Sequence, residues 1–542
     1  MQPRIRRWAF LLLGAAVFAA THTQAPLYWS NQNQYFLHGL AAGGLGELHR
    51  DWLANTADPT PVFSAGVSWI FRLLGPTAFY LIFALLLVIY FLSLMAIGTA
   101  TPRGVRSNMG RLRLAVGLIA IHAAISRWGS VQLFGGDYPW FLQSGVANQY
   151  VLGPGLQPSA FGVLLIAAIA AFAHDRLKLT GLCVAGAAIV HPTYLLPAAL
   201  LMLGFLHVLW WENRRRACIT LGMVVLILVS PILIYGVMTF GPSSAESYSK
   251  AQQILVGLRI PHHTEIDHWF DPIAIAQVVW IVAGLILVRR SRLWNALLIP
   301  FLLAAGLTFL QWFTNNATLA LLFPWRMSAL LVPAATAVIL SRTITVFHPA
   351  DAESAEDGID WRRPRAYVLA IIGLALLVGS VGIQWAGWVY VVPADELELY
   401  GFVRTNAGEH DLYVVPITVP NPAASTRGSP STTFVPIQQA VSLNKFPPDL
   451  QRFRLATGVP IYVDFKSIPY RDVDVLEWRR RIAQVEKWQE KIDPDELRQA
   501  GITHVVTPTE RPFDSTQFES RWSNATYRVL KLRPVNSPAA GG

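Results

Sequence analysis

Carboxylates lie beside turn-forming residues in the loop that follows the first apolar segment. The stretch 49–61 contains Asp51, and Asp58 directly before Pro59. An ionised carboxylate at a membrane surface can take a proton from an attacking hydroxyl, which is general-base catalysis. The alternative is that these acids only solvate a loop, with Asp58 forming an Asx turn. We predict a catalytic role for Asp51 and a structural role for Asp58.

A second acid lies among aromatic residues in the next long loop. Asp137 follows two glycines and precedes Tyr138, Pro139 and Trp140. Aromatic faces with a few polar groups are typical of binding pockets, so Asp137, Tyr138 and Trp140 are candidate substrate-binding residues, suited to a sugar ring. The alternative is an interfacial aromatic belt in which Asp137 caps a helix.

The loop 241–272 concentrates ionisable side chains. They are His262, His263, Glu265, Asp267, His268 and Asp271. Such a set could hold a divalent metal or transfer protons, although the spacing matches no diagnostic ligand pattern. A solvated polar loop accounts for most of them, and Glu265 is kept as the candidate for substrate binding.

Arg326 follows Phe323, Pro324 and Trp325 near the outer end of an apolar segment. A charge at that depth is costly unless it reaches an anion, and a lipid phosphate is a natural partner. The alternative is an ion pair with an acid on a neighbouring helix, for which Asp51 is a candidate.

The elements that position these residues are membrane helices. The chain has 542 residues, of which 53% are hydrophobic and 14% charged, and several runs exceed the roughly 18 apolar residues that indicate a bilayer span. The break at His191 and Pro192 divides one long run into two helices, and His191 is interpreted as a hydrogen-bonded helix-end residue. We predict eleven transmembrane helices, at 6–22, 77–99, 112–127, 159–173, 179–191, 193–211, 218–240, 273–288, 293–313, 319–341 and 366–390.

Basic residues indicate the orientation of these helices. They cluster in alternate loops, at 4–7, 103–113, 176–178, 214–216, 289–292 and 342–365. The positive-inside rule therefore predicts a cytoplasmic N-terminus and outer loops at 23–76, 128–158 and 241–272. We expect an integral, multi-pass protein of a bacterial inner or plasma membrane.

From 391 to 542 the composition is that of a soluble domain. Short β-like runs at 412–416, 460–465 and 504–507 accompany a helix-like run at 473–491, which predicts an extracytoplasmic α/β domain after a transmembrane domain at 1–390. Acidic and basic residues balance in this domain, so the net charge of +10 belongs to the membrane part and does not indicate nucleic-acid binding. Cys183 and Cys218, both in predicted helices, cannot form a disulfide framework for this domain.

A basic start, one helix, a long outer loop with acids, many further helices and an outer α/β tail together resemble the GT-C superfamily of membrane glycosyltransferases. The runs Leu48 to Thr56 and Pro460 to Ser467 also resemble an uncharacterised bacterial family of polytopic proteins. The GT-C resemblance implies a polyprenyl-phosphate-linked sugar donor on the outer side of the bilayer, and a glycan, lipid or protein acceptor.

The resemblance also implies roles for particular residues. Asp51 matches the first-loop acid that acts as base, while Arg326 with Arg127 would neutralise the leaving lipid phosphate. Asp137 and Glu265 are positional counterparts of acids that, with Asp51, would hold a divalent metal such as Mg or Mn, although the later-loop signature is missing. The outer domain, with Asp464, Lys466, Tyr470 and Arg471 at one surface, would hold the acceptor, cover the active site or serve only for packing.

Two other classes of function remain open on the sequence. A transporter or lipid flippase would use the break at His191 and the intramembrane Arg326 as parts of a substrate path, although no inverted repeat is evident. A non-catalytic assembly protein would carry the outer acids only as surface residues.

Overall fold

The computed structural model describes residues 3–22, 24–353, 364–419 and 450–534. These residues contain six helices that are long and apolar enough to cross a membrane, so the chain is a multi-pass membrane protein. They are Ala78–Ala100, Pro192–Trp211, Arg215–Phe240, Leu293–Thr314, Ala317–Phe347 and Pro364–Trp385.

A seventh span would consist of two helices joined at a bend. Asn108–His122 and Ala124–Phe134 meet at an angle of 55°. Ala123 between them has an extended backbone (ψ 136°), which ends the first helix. The hydroxyl of Ser380 accepts a hydrogen bond from the Ile125 N–H at 3.3 Å, so a backbone donor freed by the bend is satisfied.

Each of the eleven predicted segments coincides with an apolar helix. Four of these helices are only 10–17 residues long, and a fifth short helix lies in the first outer loop. At about 1.5 Å per residue, such helices fall short of a bilayer core of about 30 Å. The total of eleven spans therefore stays a prediction. The five shorter helices are Ala9–Thr21, Pro158–Ala173, Leu177–Val190, Pro272–Val288 and, in the first outer loop, Pro61–Leu74.

Short helices build the predicted outer loops. The first loop contains Gln32–Tyr35, Leu37–Gly43 and the 3₁₀ turns Leu48–Arg50 and Leu53–Asn55. The second contains Tyr138–Phe141 and Val146–Asn148. The third runs through Ala245–Gln253, the π-helix Ile254–Arg259, Pro261–Thr264 and Ile266–Trp269. Because each element is only one or two turns long, contacts to other segments must fix its position.

The C-terminal part contains a four-stranded sheet, which confirms that a small sheet accompanies the helices there. The strands are β1 (Tyr413–Val414), β2 (His504–Pro508), β3 (Phe518–Ser523) and β4 (Tyr527–Leu532), in the order β1-β2-β4-β3. Only the β1–β2 pair is parallel. The accompanying helices are Ala394–Asn406, Phe453–Thr457, Asp472–Glu490 and Pro494–Gln499.

Side chains alternate across this sheet and divide its core into two layers. On β2, Val505 packs in the cluster of Trp478, from helix Asp472–Glu490, whereas Val506 packs in the cluster of Phe453 on the other face. This period of two is what a strand buried on both faces requires. The helix predicted at 473–491 is therefore confirmed, and it covers one face of the sheet.

The run 460–465 was expected to be a strand, but it makes only one isolated bridge, between Ile461 and Tyr413. The Ile461 N–H donates to the Asp51 carboxylate at 3.1 Å instead of extending a ladder. The β-like pattern thus identified a buried extended segment that bonds strand β1 through Tyr413, with the Tyr462 N–H donating to the Tyr413 carbonyl oxygen at 2.8 Å, and that bonds a loop of the membrane part through Ile461.

The orientation of the chain in the membrane is a testable expectation. In a Cys183→Ala, Cys218→Ser background, we expect Asp514→Cys to react with a membrane-impermeant maleimide in intact cells. Asn213→Cys should react only after permeabilisation, since the basic cluster 214–216 is predicted to be cytoplasmic. Both native positions are exposed at the surface of the protein, which makes the two variants a matched pair. The opposite labelling pattern would contradict the predicted orientation.

Candidate active site

Arg326 lies at a break in the helical segment Ala317–Phe347. The segment begins as Ala317–Leu321, and Phe323 then adopts a left-handed backbone (φ 50°) before Pro324. A left-handed conformation is unusual for a bulky side chain, and such outliers concentrate at functional sites. Arg326 lies in the following 3₁₀ turn, Pro324–Met327, before the helix resumes at Ser328.

Arg326 is held by neutral partners. Its Nε donates to the Gln149 side-chain oxygen at 2.8 Å, and an Nη group donates to the Thr193 hydroxyl. The guanidinium also lies 4.9 Å from the Phe323 ring centroid. In the described ranges Arg326 belongs to no ion pair, so the alternative of a salt bridge to Asp51 is not realised. Its positive charge is therefore available to an anionic ligand.

The loop that carries Gln149 is clamped against the resumed helix. The Val146 N–H donates to the Ser328 hydroxyl at 2.9 Å. A Cβ atom on Gly145 would lie 2.2 Å from the same hydroxyl, so only glycine permits this approach. Ala147 and Asn148 both have left-handed backbones, which turn the chain so that Gln149 meets Arg326.

Aromatic rings form one wall beside Arg326. His191 lies edge-on to Tyr35 and to Tyr194, with ring centroids 5.6 and 5.4 Å apart. The hydroxyls of Tyr35 and Tyr470 are 3.3 Å apart. His191 was interpreted as a hydrogen-bonded helix-end residue, but its buried Nδ1 has no hydrogen-bond partner in the described ranges. This wall joins the first outer loop, the helix break at 191 and the C-terminal part.

The third outer loop and the C-terminal part add positive charge. Arg259, at the end of the π-helix, donates to the Lys466 carbonyl oxygen. His263 Nδ1 lies 2.8 Å from the Ala147 carbonyl oxygen. Burial holds the pKa of His263 well below its usual value, and the nearby cations, Arg326 among them, lower that pKa further. His263 is therefore neutral at pH 7, while Arg259 and Lys466 carry charge beside it.

Glu265 lies in the same loop and forms an ion pair with His268, with Oε2 and Nε2 2.9 Å apart. Its side chain is 41% exposed. Trp269 connects this stretch to the Arg326 segment, because its ring lies 5.2 Å from that of Trp325. The indole N–H groups of Trp269 and Trp325 are buried without a hydrogen-bond partner in the described ranges. The two indole N–H groups and the Arg326 guanidinium are donors that suit an anion.

Asp51 lies outside this group and is 0% exposed. Its Oδ1 accepts hydrogen bonds from the Leu53 and Ala54 N–H groups at 2.9 and 3.4 Å. Its Oδ2 accepts from the Ile461 N–H and lies 2.8 Å from the Arg454 Nε. An acceptor hydroxyl could reach this carboxylate only by displacing Arg454. The geometry favours a structural role for Asp51, and the assignment of Asp51 as base stays a prediction.

Arg454 bridges Asp51 to a second buried acid. Its Nη1 lies 3.0 Å from the Asp464 Oδ2. Burial raises the pKa of Asp464 above its usual value, although the Arg454 charge opposes this shift. Nearby, the Glu47 N–H donates to the Gly458 carbonyl oxygen at 2.8 Å. Together these contacts fix the C-terminal part onto the first outer loop.

Asp137 also forms a buried ion pair. It is 1% exposed, and its Oδ2 accepts from the Arg127 Nε and Nη2 at 2.9 and 2.7 Å. The Arg127 guanidinium covers the Trp140 ring at 4.7 Å, whereas Tyr138 is 54% exposed and lines an apolar cleft. Asp137 also caps the helix Tyr138–Phe141 by accepting from the Trp140 N–H. This is the alternative structural role expected for Asp137.

The candidate residues therefore separate into three contact groups. Asp51 pairs with Arg454, Asp137 pairs with Arg127, and Arg326 lies with Gln149 and Thr193. Among the predicted acids, Glu265 is the one linked to the Arg326 group, through Trp269. Sequence patterns did not predict that Tyr35, His191 and Tyr470 form the aromatic wall, because tyrosine and histidine are common in apolar runs.

The structure does not bring together the acids named for a metal. Asp51, Asp137 and Glu265 each have a different cationic partner. The described ranges contain no cluster of three or more His, Cys, Asp or Glu side chains arranged to hold a metal ion. A divalent metal therefore stays an untested expectation from the resemblance.

The comparisons with known proteins give a family of unknown function and a distant structural likeness. A domain of unknown function, DUF6798, matches residues 440–485, of which 450–485 are described. This match includes Arg454, Asp464, Lys466 and Tyr470. No curated protein matches the chain by sequence.

Eleven chains of solved structures are similar to this one. Among them is the cryo-EM structure of a mutant of the mycobacterial arabinofuranosyltransferase AftD, with 17% identity and a TM-score of 0.46. The match covers 97% of this chain and 41% of the AftD chain. By its name this neighbour is an arabinofuranosyltransferase, and the present chain spans less than half of its length. At this identity and score, the likeness assigns no role to any residue of this chain.

Arg454 should be essential for the stability of the contact between the two parts. Arg454→Met would leave two buried carboxylates without their cation, which typically costs about 3–5 kcal/mol. We expect a lower thermal unfolding temperature of the detergent-purified protein and faster proteolysis near Gly458. Adding Asp51→Asn and Asp464→Asn should recover part of this loss, because both charges are then removed.

The matched control is Arg521→Gln. Arg521 forms an exposed ion pair with Glu519, and such pairs typically contribute about 0–1 kcal/mol. An Arg454→Met protein as stable as this control would show that the bridge does not hold the two parts together.

Proposed function

We propose that the protein is a membrane glycosyltransferase that uses a polyprenyl-phosphate-linked sugar as donor. The observation that carries this proposal is Arg326, a guanidinium without an ion-pair partner in the described ranges, at a break in a membrane helix. A lipid phosphate carries the negative charge that would complement the Arg326 guanidinium. Arg259 and Lys466 add positive charge from outside the helices.

The proposed reaction needs charge stabilisation at one place. The acceptor hydroxyl oxygen attacks the anomeric carbon, while the bond from that carbon to the phosphate oxygen breaks. The electron pair of that bond stays on the lipid phosphate, whose negative charge increases as it leaves. Arg326 is fixed by Gln149 and Thr193 before the reaction, so stabilising this charge requires little reorganisation. The acceptor is proposed to be a glycan, lipid or protein on the outer side.

An apolar cleft between helices of the membrane part suits the prenyl tail of such a donor. It has a volume of about 1200 Å³ and lies between Tyr138, the bent helix pair and Pro272–Val288. Gln277, on its wall, donates to the Ser144 carbonyl oxygen at 2.9 Å, directly before the loop that clamps Gln149. The segment 144–149 thus contacts a wall residue of the cleft at Ser144 and bonds Arg326 at Gln149.

Arg326→Gln should reduce sugar transfer strongly. Loss of one preorganised group that stabilises transition-state charge typically costs about 10²–10³-fold in kcat. We would measure transfer from radiolabelled polyprenyl-phosphate sugars in proteoliposomes, and binding of undecaprenyl phosphate by the same preparations. Both transfer and binding should fall.

Arg72→Gln is the control for an outer-loop arginine, because Arg72 is exposed and hydrogen-bonds only the Ala42 carbonyl oxygen. Equal transfer by Arg326→Gln and wild type would overturn the assignment of the phosphate site. A wild-type protein that transfers no sugar from any donor, but moves the lipid between leaflets, would favour the flippase alternative. The helix breaks at His191 and Phe323 are the features that such a path would use.

A further inference from the structure

We propose that Glu265 is the general base of this reaction and that His268 is the residue that positions it. This inference rests on the proposed glycosyl transfer. Among the acids considered for the role, Asp51 and Asp137 are 0% and 1% exposed and each is paired with an arginine. Glu265 differs from both, because its side chain is 41% exposed and its ion pair, within the part of the chain that the structure describes, is with His268 rather than with an arginine.

The backbone of Glu265 is fixed on both sides. It is a single extended residue between the one-turn helices Pro261–Thr264 and Ile266–Trp269. Before it, the buried Thr264 hydroxyl donates to the Ile260 carbonyl oxygen at 2.8 Å. After it, Trp269 packs against Trp325, next to Arg326. A carboxylate held between two anchored turns has the restricted geometry that a catalytic base needs.

The two carboxylate oxygens of Glu265 have different surroundings. Oε2 lies 2.9 Å from the His268 Nε2. In the described ranges, no hydrogen bond to Oε1 is formed by any side chain or N–H group. His268 thus occupies one oxygen and sets the orientation of the other, which leaves Oε1 open to an acceptor hydroxyl.

The location of Glu265 relative to Arg326 suits a displacement reaction at the anomeric carbon. His263, two residues before Glu265, bonds the Ala147 carbonyl oxygen, two residues before Gln149. Gln149 in turn holds Arg326. Glu265 and Arg326 therefore lie on segments that are joined at both His263 and Trp269. The base would be on the acceptor side of the anomeric carbon, and Arg326 on the phosphate side.

The proton balance is simple. As the acceptor oxygen bonds to the anomeric carbon, its proton moves to Glu265 Oε1. The bond to the phosphate oxygen breaks, and the lipid phosphate leaves with the electron pair. Glu265 returns to its ionised form by releasing the proton to water after the product departs. The step is a displacement without change of oxidation state, so no oxidant or reductant is required.

The test compares Glu265→Gln with the matched control Glu246→Gln. Glu246 lies in the same outer loop, is exposed and pairs with Lys250, so it resembles Glu265 without facing the site. General-base catalysis is typically worth about 10²–10⁴-fold, and we expect Glu265→Gln to lose that much in kcat. Binding of undecaprenyl phosphate and the thermal unfolding temperature should stay at the wild-type values. Glu246→Gln should transfer sugar normally.

His268 requires a readout that distinguishes positioning from folding. His268→Gln can still donate to Glu265 and should retain more transfer than His268→Ala, with both effects in kcat rather than in KM for the donor.

Each outcome has a separate meaning. An active wild type with an equally active Glu265→Gln variant overturns the proposed base. An inactive Asp51→Asn variant with wild-type thermal stability, together with an active Glu265→Gln, assigns the base to Asp51 instead. A wild type that is inactive with every polyprenyl-phosphate sugar contradicts the proposed function itself rather than the choice of base.

Discussion

The bridge from Asp51 through Arg454 to Asp464 is the interaction on which the candidate site depends. It lies out of contact with solvent, where an unpaired charge is severely destabilising. It fixes the segment 453–472, and that segment supplies Lys466 and Tyr470 to the site. Gln34 strengthens the same contact, because its side chain bonds both the N–H and the carbonyl oxygen of Ile468 at 2.6 and 2.7 Å.

Local patterns in the sequence predict much of the fold. Apolar runs located the helices because side chains that face lipid or the helix bundle must be apolar all round. The alternation in 504–507 and the helical period in 473–491 were equally clear, since both elements bury one or two faces in a soluble core. The number of helices that cross the membrane was harder to predict, because several helices are too short to cross a bilayer alone.

The candidate site was harder to predict because its residues are distant in sequence. Asp51 and the Ile461 N–H that binds it are 410 positions apart, and Tyr35 is 435 positions from Tyr470. No local pattern shows that an arginine such as Arg454 will form an ion pair with an acid in the first loop. Arg326 could be identified because a charge in an apolar segment is unusual at any distance. Glu265 was one of several candidate residues in its loop. What distinguishes it from the others is its contact with His268, which the sequence does not show.

The ion pairs of Asp51 and Asp137 have an electrostatic consequence for the site. An uncompensated carboxylate buried in this part of the protein would weaken the attraction of Arg326 for a phosphate, since charges act over several ångströms where water is excluded. Each carboxylate instead faces a guanidinium, and the field that remains comes from Arg259, Arg326 and Lys466. Glu265 is then the acid whose charge is only partly compensated. A transfer reaction needs this asymmetry, with positive charge at the leaving phosphate and one accessible base at the attacking hydroxyl.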